Sequence, residues 1–201
     1  MEQKLLTIIH ALKGITPQLS PKQPWSTEWD EAIQNLEQSV SVDLEKRLLL
    51  KCVQSGLHLW NESLDLSHTL SQNIDNPTGS YWHGIMHRME QDYPNAGYWF
   101  RQVGEHPAFP SLLQSVQSYF RSISLEHLPV PVKEYAENLK SSTRWDPFRF
   151  IQLIELQETT LHHEETDQLL RDLQRIEIVQ LLMYCIKPLD EQVCNELSSM
   201  L

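Results

Sequence analysis

The sequence predicts an all-α fold, a single irregular bundle of about seven to nine helices joined by short connections. Three observations predict it. Apolar residues recur at helical spacing along the whole chain, strand-type alternation is nearly absent, and proline- or glycine-bearing connectors separate the periodic runs. With 201 residues, the chain is long enough to bury a core without disulfide or metal staples. The expected organisation is one domain, 1–201, with an N-terminal helical extension over 1–41, a core over 42–188 and a tail over 189–201.

The elements follow in order. Leu5, Ile8, Ile9 and Leu12 recur at i, i+3, i+4, i+7, with Gly14 as a stop. TPQLSPKQPW holds three prolines and reads as an ordered loop or a loose connector. A second helix begins near Ser26 or Thr27 and carries Trp29, Ala32, Ile33, Leu36 and Val40. The longest helical reading runs over 42–72, with Leu44, Leu48, Val53, Leu57, Trp60 and Leu64 on its apolar side. Gly56 marks close packing or a break, and Asp65 or Ser67 caps a new helix. NIDNPTGS is a turn.

The stretch SYWHGIMHRMEQDYPNAGYWF, 80–100, reads as a helix hairpin. At about 100° per residue, Ile85, Met86 and Met89 fall on the face of Trp82. His83, His87 and Glu90 border that face, and Gly84 and Arg88 lie opposite. Ala96, Trp99, Phe100 and Val103 repeat the pattern in the second helix, which Asp92 caps and Pro94 opens. Gly84, Ala96 and Phe100 also match the small and aromatic positions of a tetratricopeptide-like hairpin. That match turns Gly84 toward the partner helix, which requires the first helix to be buried on two sides.

Beyond the hairpin, Leu112, Val116, Phe120 and Ile123 mark a helix that HLPVPV ends, and 132–140 is a short helix. Asp146 and Pro147 open a helix carrying Phe148, Ile151, Ile154 and Glu155. LHHEETDQ is a loop or a solvated first turn. The last strong helix spans 169–186 and stops at Pro188, and DEQVCNELSSML is a fraying terminal helix.

Several function classes are disfavoured. A net charge of −11 opposes binding to duplex nucleic acid or to an anionic membrane surface. Three cysteines with no CxxC pairing fit reduced thiols, and no apolar run reaches the length of a membrane span. The expectation is a soluble cytoplasmic protein. GxSxG is absent, and Gly79, Gly84 and Gly97 are isolated, so neither a serine nucleophile elbow nor a phosphate loop is present.

The stretch resembles the hallmark of an uncharacterised bacterial and fungal family. The matching residues are Tyr81, Trp82, His83, Gly84, Ile85, His87, Arg88, Glu90, Asp92, Asn95, Ala96, Tyr98, Trp99 and Phe100. LDLSHTLSQ, WDPFRF and QRIEIVQLLMYC extend the resemblance over roughly 57–185. It implies no activity. Family members are more basic near Met89, Gly97 and Gln102, which puts any anion site of relatives in question here.

The leading expectation is a polar pocket lined by HGIMHR that binds a small ligand or a protein partner. Arg88, Tyr98, Arg101 and Tyr81 are its contact candidates. The bland alternative pairs the arginines with Glu90, Asp92 or Glu105. The runner-up is a metal-dependent or acid–base enzyme. Its catalytic candidates are His83, His87, Glu90, His68 and Asp65, and a divalent metal is its cofactor. HxxxHxxE would supply His83, His87 and Glu90 as ligands, with a further one from His68, His106 or His162. The zincin mechanism is excluded, because Gly84 stands where its glutamate belongs.

Overall fold

Helical periodicity becomes eleven α-helices and one π turn in the computed structural model, which describes residues 1–36 and 43–200. No strand occurs among the described residues. The expectations for Val40 and for a helix start at Val42 lie outside them, as does the boundary drawn between 41 and 42. Eleven helices exceed the seven to nine expected, partly because the long reading over 42–72 is two helices.

Helix α1, Glu2–Leu12, buries Leu5, Ile8, Ile9 and Leu12. The proline-rich segment behind it is ordered by long polar side chains. Trp60 donates to the Ile15 carbonyl at 3.0 Å, Arg171 to Thr16 at 2.6 Å, and Gln174 to Gln18 at 3.0 Å. Helix α2, Thr27–Gln34, follows.

Helix α3, Leu44–Trp60, ends where Glu62 takes φ 62°. The Ser63 amide then reaches the His58 carbonyl at 2.8 Å and the Glu62 amide the Leu59 carbonyl at 3.0 Å, a Schellman closure made without glycine. Helix α4, Leu64–Ser71, starts at once. Its N-cap residue is Ser63, not Asp65 or Ser67, and the Ser63 hydroxyl donates to Asp30 at 2.6 Å instead of capping the helix. Gly56 is a packing residue, because a Cβ there would lie 2.6 Å from the Trp82 ring.

Helix α5, Pro77–Met89, begins with Asn76 accepting from the Gly79 amide. It ends in a second Schellman closure, with Gln91 at φ 66° and the Asp92 amide on the His87 carbonyl at 2.9 Å. Every residue from Tyr81 to Met89 is buried. Helix α6, Tyr93–Val103, is capped by Asp92 and lies along α5, where Phe100 fills the space over Gly84. Trp82 points the other way, onto Gly56 of α3. Both readings of Gly84 therefore hold, because α5 is the central helix and is enclosed on all sides.

Helices α7, Phe109–Ser122, and α8, Val130–Ser141, precede α9, Pro147–Leu156, which Asp146 caps. On α9 the buried face is Phe150, Ile151, Leu153 and Ile154, while Phe148 is exposed. The π turn Gln157–Leu161 closes at His162 in the left-handed region. His163 then caps α10, Glu164–Ile186, so much of the polar LHHEETDQ run is helical. Helix α11, Glu191–Ser198, is capped by Asp190 and buries Val193, Cys194 and Leu197. It is a packed element rather than a fraying tail, and it meets both α1 and α10. The segments at both chain ends share one apolar core with the middle.

Candidate metal centre

Three imidazoles meet beside α5. His83 and His87 stand one turn apart on that helix, and His68 reaches them from α4. Each offers one ring nitrogen, and the three nitrogens lie within 4.8 Å of one another. The His83 and His87 rings are stacked at 4.7 Å between centroids, and His68 lies 4.8 Å from His83 and 5.5 Å from His87. The Trp99 indole stacks on His83 at 4.0 Å and forms a wall of the site.

The local electrostatics favour the neutral form of the two rings on α5, His83 and His87. Burial, followed by the neighbouring His87 and His68, pushes the His83 pKa down to about 4. Burial also lowers His87, against the opposing pull of the Glu90 and Asp92 carboxylates. Neutral imidazole is the metal-ligating form. Both His83 nitrogens are buried without a hydrogen-bond partner among the described residues. Such a group costs about 1–3 kcal/mol unless something satisfies it. A four-coordinate ion at ~2.0–2.1 Å from each nitrogen would hold them roughly 3.3 Å apart. Ring movements of about 1 Å close the gap, within the reach of small χ adjustments.

Glu90 does not join the imidazole nitrogens as a third ligand. Its Oε2 lies 3.2 Å from His87 Nδ1, off hydrogen-bond alignment. The reason is local: Glu90 is the C-cap of α5, where the helix ends and the ligand stripe ends with it. His68 supplies the third nitrogen. His106 is spent elsewhere, since its Nδ1 accepts from the Ala108 amide at 3.2 Å and its Nε2 meets the Thr78 hydroxyl at 3.1 Å. His162 is exposed beyond the π turn. Asp65 is exposed on α4 and lines a surface cleft of about 390 Å³ with Asp30, Glu62 and Glu90. That cleft is lined by carboxylates rather than by the imidazoles.

Two of the four contact candidates are interior. Tyr81 is fully buried and donates to Glu177 Oε1 at 3.0 Å. Arg88 is also fully buried. Its Nη2 lies 2.5 Å from Glu177 Oε2, and its guanidinium sits 4.6 Å above the Phe150 ring. Glu90, Asp92 and Glu105 are not its partners, because α10 covers the side of α5 that faces away from Trp82. Tyr98 and Arg101 are exposed as expected, with the Arg101 guanidinium 6.0 Å from the Tyr98 ring. Arg101 lines a separate cleft of about 640 Å³ together with Arg144, Trp145 and Phe148.

Glu177 and the buried pair Asp30–His58 are functional-type residues that sequence reasoning missed. The glutamate inside the apolar run RIEIVQLL was the available signal for the first. Nothing local signals the second.

The fold and the site together define a helical bundle in which three imidazoles, two buried on the central helix α5 and one half-buried on α4, converge. Comparison with protein families, with characterised proteins and with solved structures finds no match for this chain. No described helix is long and apolar enough to cross a membrane.

Proposed function

We propose that the chain is a metal-binding helical protein in which His68, His83 and His87 hold one divalent transition ion. The observation that carries this reading is the convergence of three ring nitrogens within 4.8 Å, one from each histidine, on a site where neither His83 nitrogen has another partner. Imidazole donors suit zinc, copper, iron or nickel rather than calcium or magnesium. Three protein ligands leave a fourth position for water or a substrate oxygen, the arrangement of catalytic rather than structural zinc. Glu90 Oε2, 3.2 Å from His87 Nδ1, is placed to accept from that nitrogen once the ring turns onto an ion, which would leave Nε2 as the ligand atom. The resemblance to the uncharacterised family carries no activity, so the reading rests on this chemistry.

The test is cobalt(II) titration followed by its visible ligand-field bands, with elemental analysis of the protein as purified. One equivalent bound, lost in His83→Ala and in His68→Ala, supports the reading. Failure to take up stoichiometric cobalt, zinc or copper overturns it.

A second reading keeps a ligand pocket but moves it. The 640 Å³ cleft carries Arg101 together with an Arg144–Glu105 ion pair and Asp146, and the Trp145 indole N–H in its wall is buried without a partner. The Arg101 guanidinium and the free indole donor suit a single carboxylate group. Arg101→Ala should abolish saturable quenching of tryptophan fluorescence by such an anion. Absence of any quenching in the unmodified chain would remove this reading.

A further inference from the structure

On the far side of α4 from the metal centre lies a smaller site with different chemistry. A cleft of about 160 Å³ is lined by Gln34, Gln54, His58, Leu66, Thr69 and Leu70. Gln54 and His58 stand at i and i+4 on α3, so they share one face of that helix. Both side chains are almost wholly buried, at 2% and 1% exposure. Each has one polar atom engaged and one left over.

The engaged atoms fix the orientation of the others. Gln54 Nε2 donates to the Ile33 carbonyl at 2.9 Å and the Gln34 carbonyl at 3.3 Å, so Oε1 is the atom left without a partner. His58 Nδ1 lies 2.9 Å from Asp30 Oδ1, which assigns a proton to Nδ1, and in the neutral ring the lone pair is then on Nε2. Nε2 has no partner among the described residues. Asp30 is itself held in place by Ser63 at 2.6 Å and Asn61 at 2.9 Å. Two unpartnered acceptor atoms, each fixed by its neighbour's hydrogen bond, thus belong to residues that line one small cleft.

Two acceptors call for a ligand with two donors. The Thr69 hydroxyl is already donated to the Asp65 carbonyl at 2.9 Å, so a ligand carbonyl would find little to bind there. A carboxylate behind the imidazole and a chain charge of −11 favour a cation. The volume is close to the roughly 150 Å³ that accommodates a six-carbon ring. Leu66 and Leu70 provide an apolar wall for a short carbon chain. We propose that this cleft binds a small primary ammonium ion, whose N–H groups donate to His58 Nε2 and Gln54 Oε1 while its alkyl chain lies on Leu66 and Leu70.

The test uses n-butylammonium chloride titrated into the full chain, followed by ring ¹⁵N and backbone amide shifts, with tetramethylammonium as a cation that has no N–H. Saturable one-site shifts at His58 with butylammonium, and none with tetramethylammonium, support the proposal. Gln54→Met removes one acceptor and should weaken binding at least tenfold. Because that change touches buried hydrogen bonds, Thr69→Phe serves as a second variant. It fills the cleft from an exposed position and should abolish binding with the melting temperature retained. His83→Ala should leave binding intact, which separates this site from the metal centre. No shift with butylammonium, equal shifts with tetramethylammonium, or binding that survives Thr69→Phe would overturn the proposal.

Discussion

Arg88 and Glu177 meet in the middle of the bundle, Nη2 to Oε2 at 2.5 Å, and neither side chain touches solvent. The glutamate also accepts from Tyr81, and Gln174 accepts from Arg88 at 3.3 Å. Yet Arg88 Nε and Nη1 have no partner among the described residues. The pair therefore carries much of its desolvation cost uncompensated.

Removing one member strands the other as a buried charge. Arg88→Met or Glu177→Leu alone should cost about 3–5 kcal/mol in urea denaturation. The double variant should recover most of that loss, because two apolar side chains leave no unpaired charge behind. A double variant as unstable as the sum of the singles would show no coupling between the two side chains and would refute this account.

Close packing around three glycines predicts an order of damage. An added Cβ at Gly79 would collide with the backbone carbonyl of Ile74, which cannot move without distorting the start of α5. At Gly56 it would lie 2.6 Å from the Trp82 ring, and at Gly84 2.9 Å from Phe100. Alanine should therefore be worst at position 79, and at 56 and 84 should cost about 1–3 kcal/mol each by overpacking. Gly14 has open space around it, and Gly14→Ala should stabilise by about 0.4–1 kcal/mol. Thermal melts of the four variants check the ranking.

Acid should destabilise the protein through His106. Burial lowers its pKa to about 4 in the folded chain, against 6.5 as the ordinary value. Between those pH values the unfolded chain binds a proton that the folded chain refuses, so stability falls as pH drops through this window. The loss is about 3 kcal/mol at most by pH 4, since each pKa unit is worth ~1.4 kcal/mol. His83, also lowered to about 4, adds to the same slope in metal-free protein. Asp30, whose carboxylate is held below its ordinary 3.8 by His58, Ser63 and Asn61 despite an opposing push from burial, adds its loss only at lower pH. His106→Gln should flatten the decline of melting temperature between pH 6.5 and 4, and an unchanged slope would refute this assignment.

Glu90 and Trp99 give the metal reading two further handles. Glu90→Gln should weaken zinc or cobalt binding roughly 10–100-fold with little change in melting temperature, because the partly exposed carboxylate would hold His87 Nδ1–H in the metal-bound state. Bound copper(II) should quench the indole stacked 4.0 Å from His83, and Trp99→Phe should remove that component of the quenching. Quenching that is undiminished in Trp99→Phe would place the ion elsewhere.

What the chain determines by itself is local. The stripes of α1, α6 and α7 and the caps at Asp92 and Asp146 all follow from spacings of three or four residues. So does the pairing of His83 with His87 on one edge of α5. The ends of α3 and α5 carry no local signal, because Glu62 and Gln91 occupy the left-handed position where glycine is the usual residue. Tertiary structure alone decided which faces are interior. Arg88 and Tyr81 look solvent-facing on an isolated amphipathic helix, but α10 brings Glu177 to them across 89 and 96 residues of sequence. His68 joined the imidazole pair, and Glu90 did not, only once α4 packed on α5. The physical reason is that helix periodicity is set by hydrogen bonds within a turn, whereas a helix buried on every side needs partners from distant parts of the chain. Side-chain volumes decide that packing, and no short window contains them.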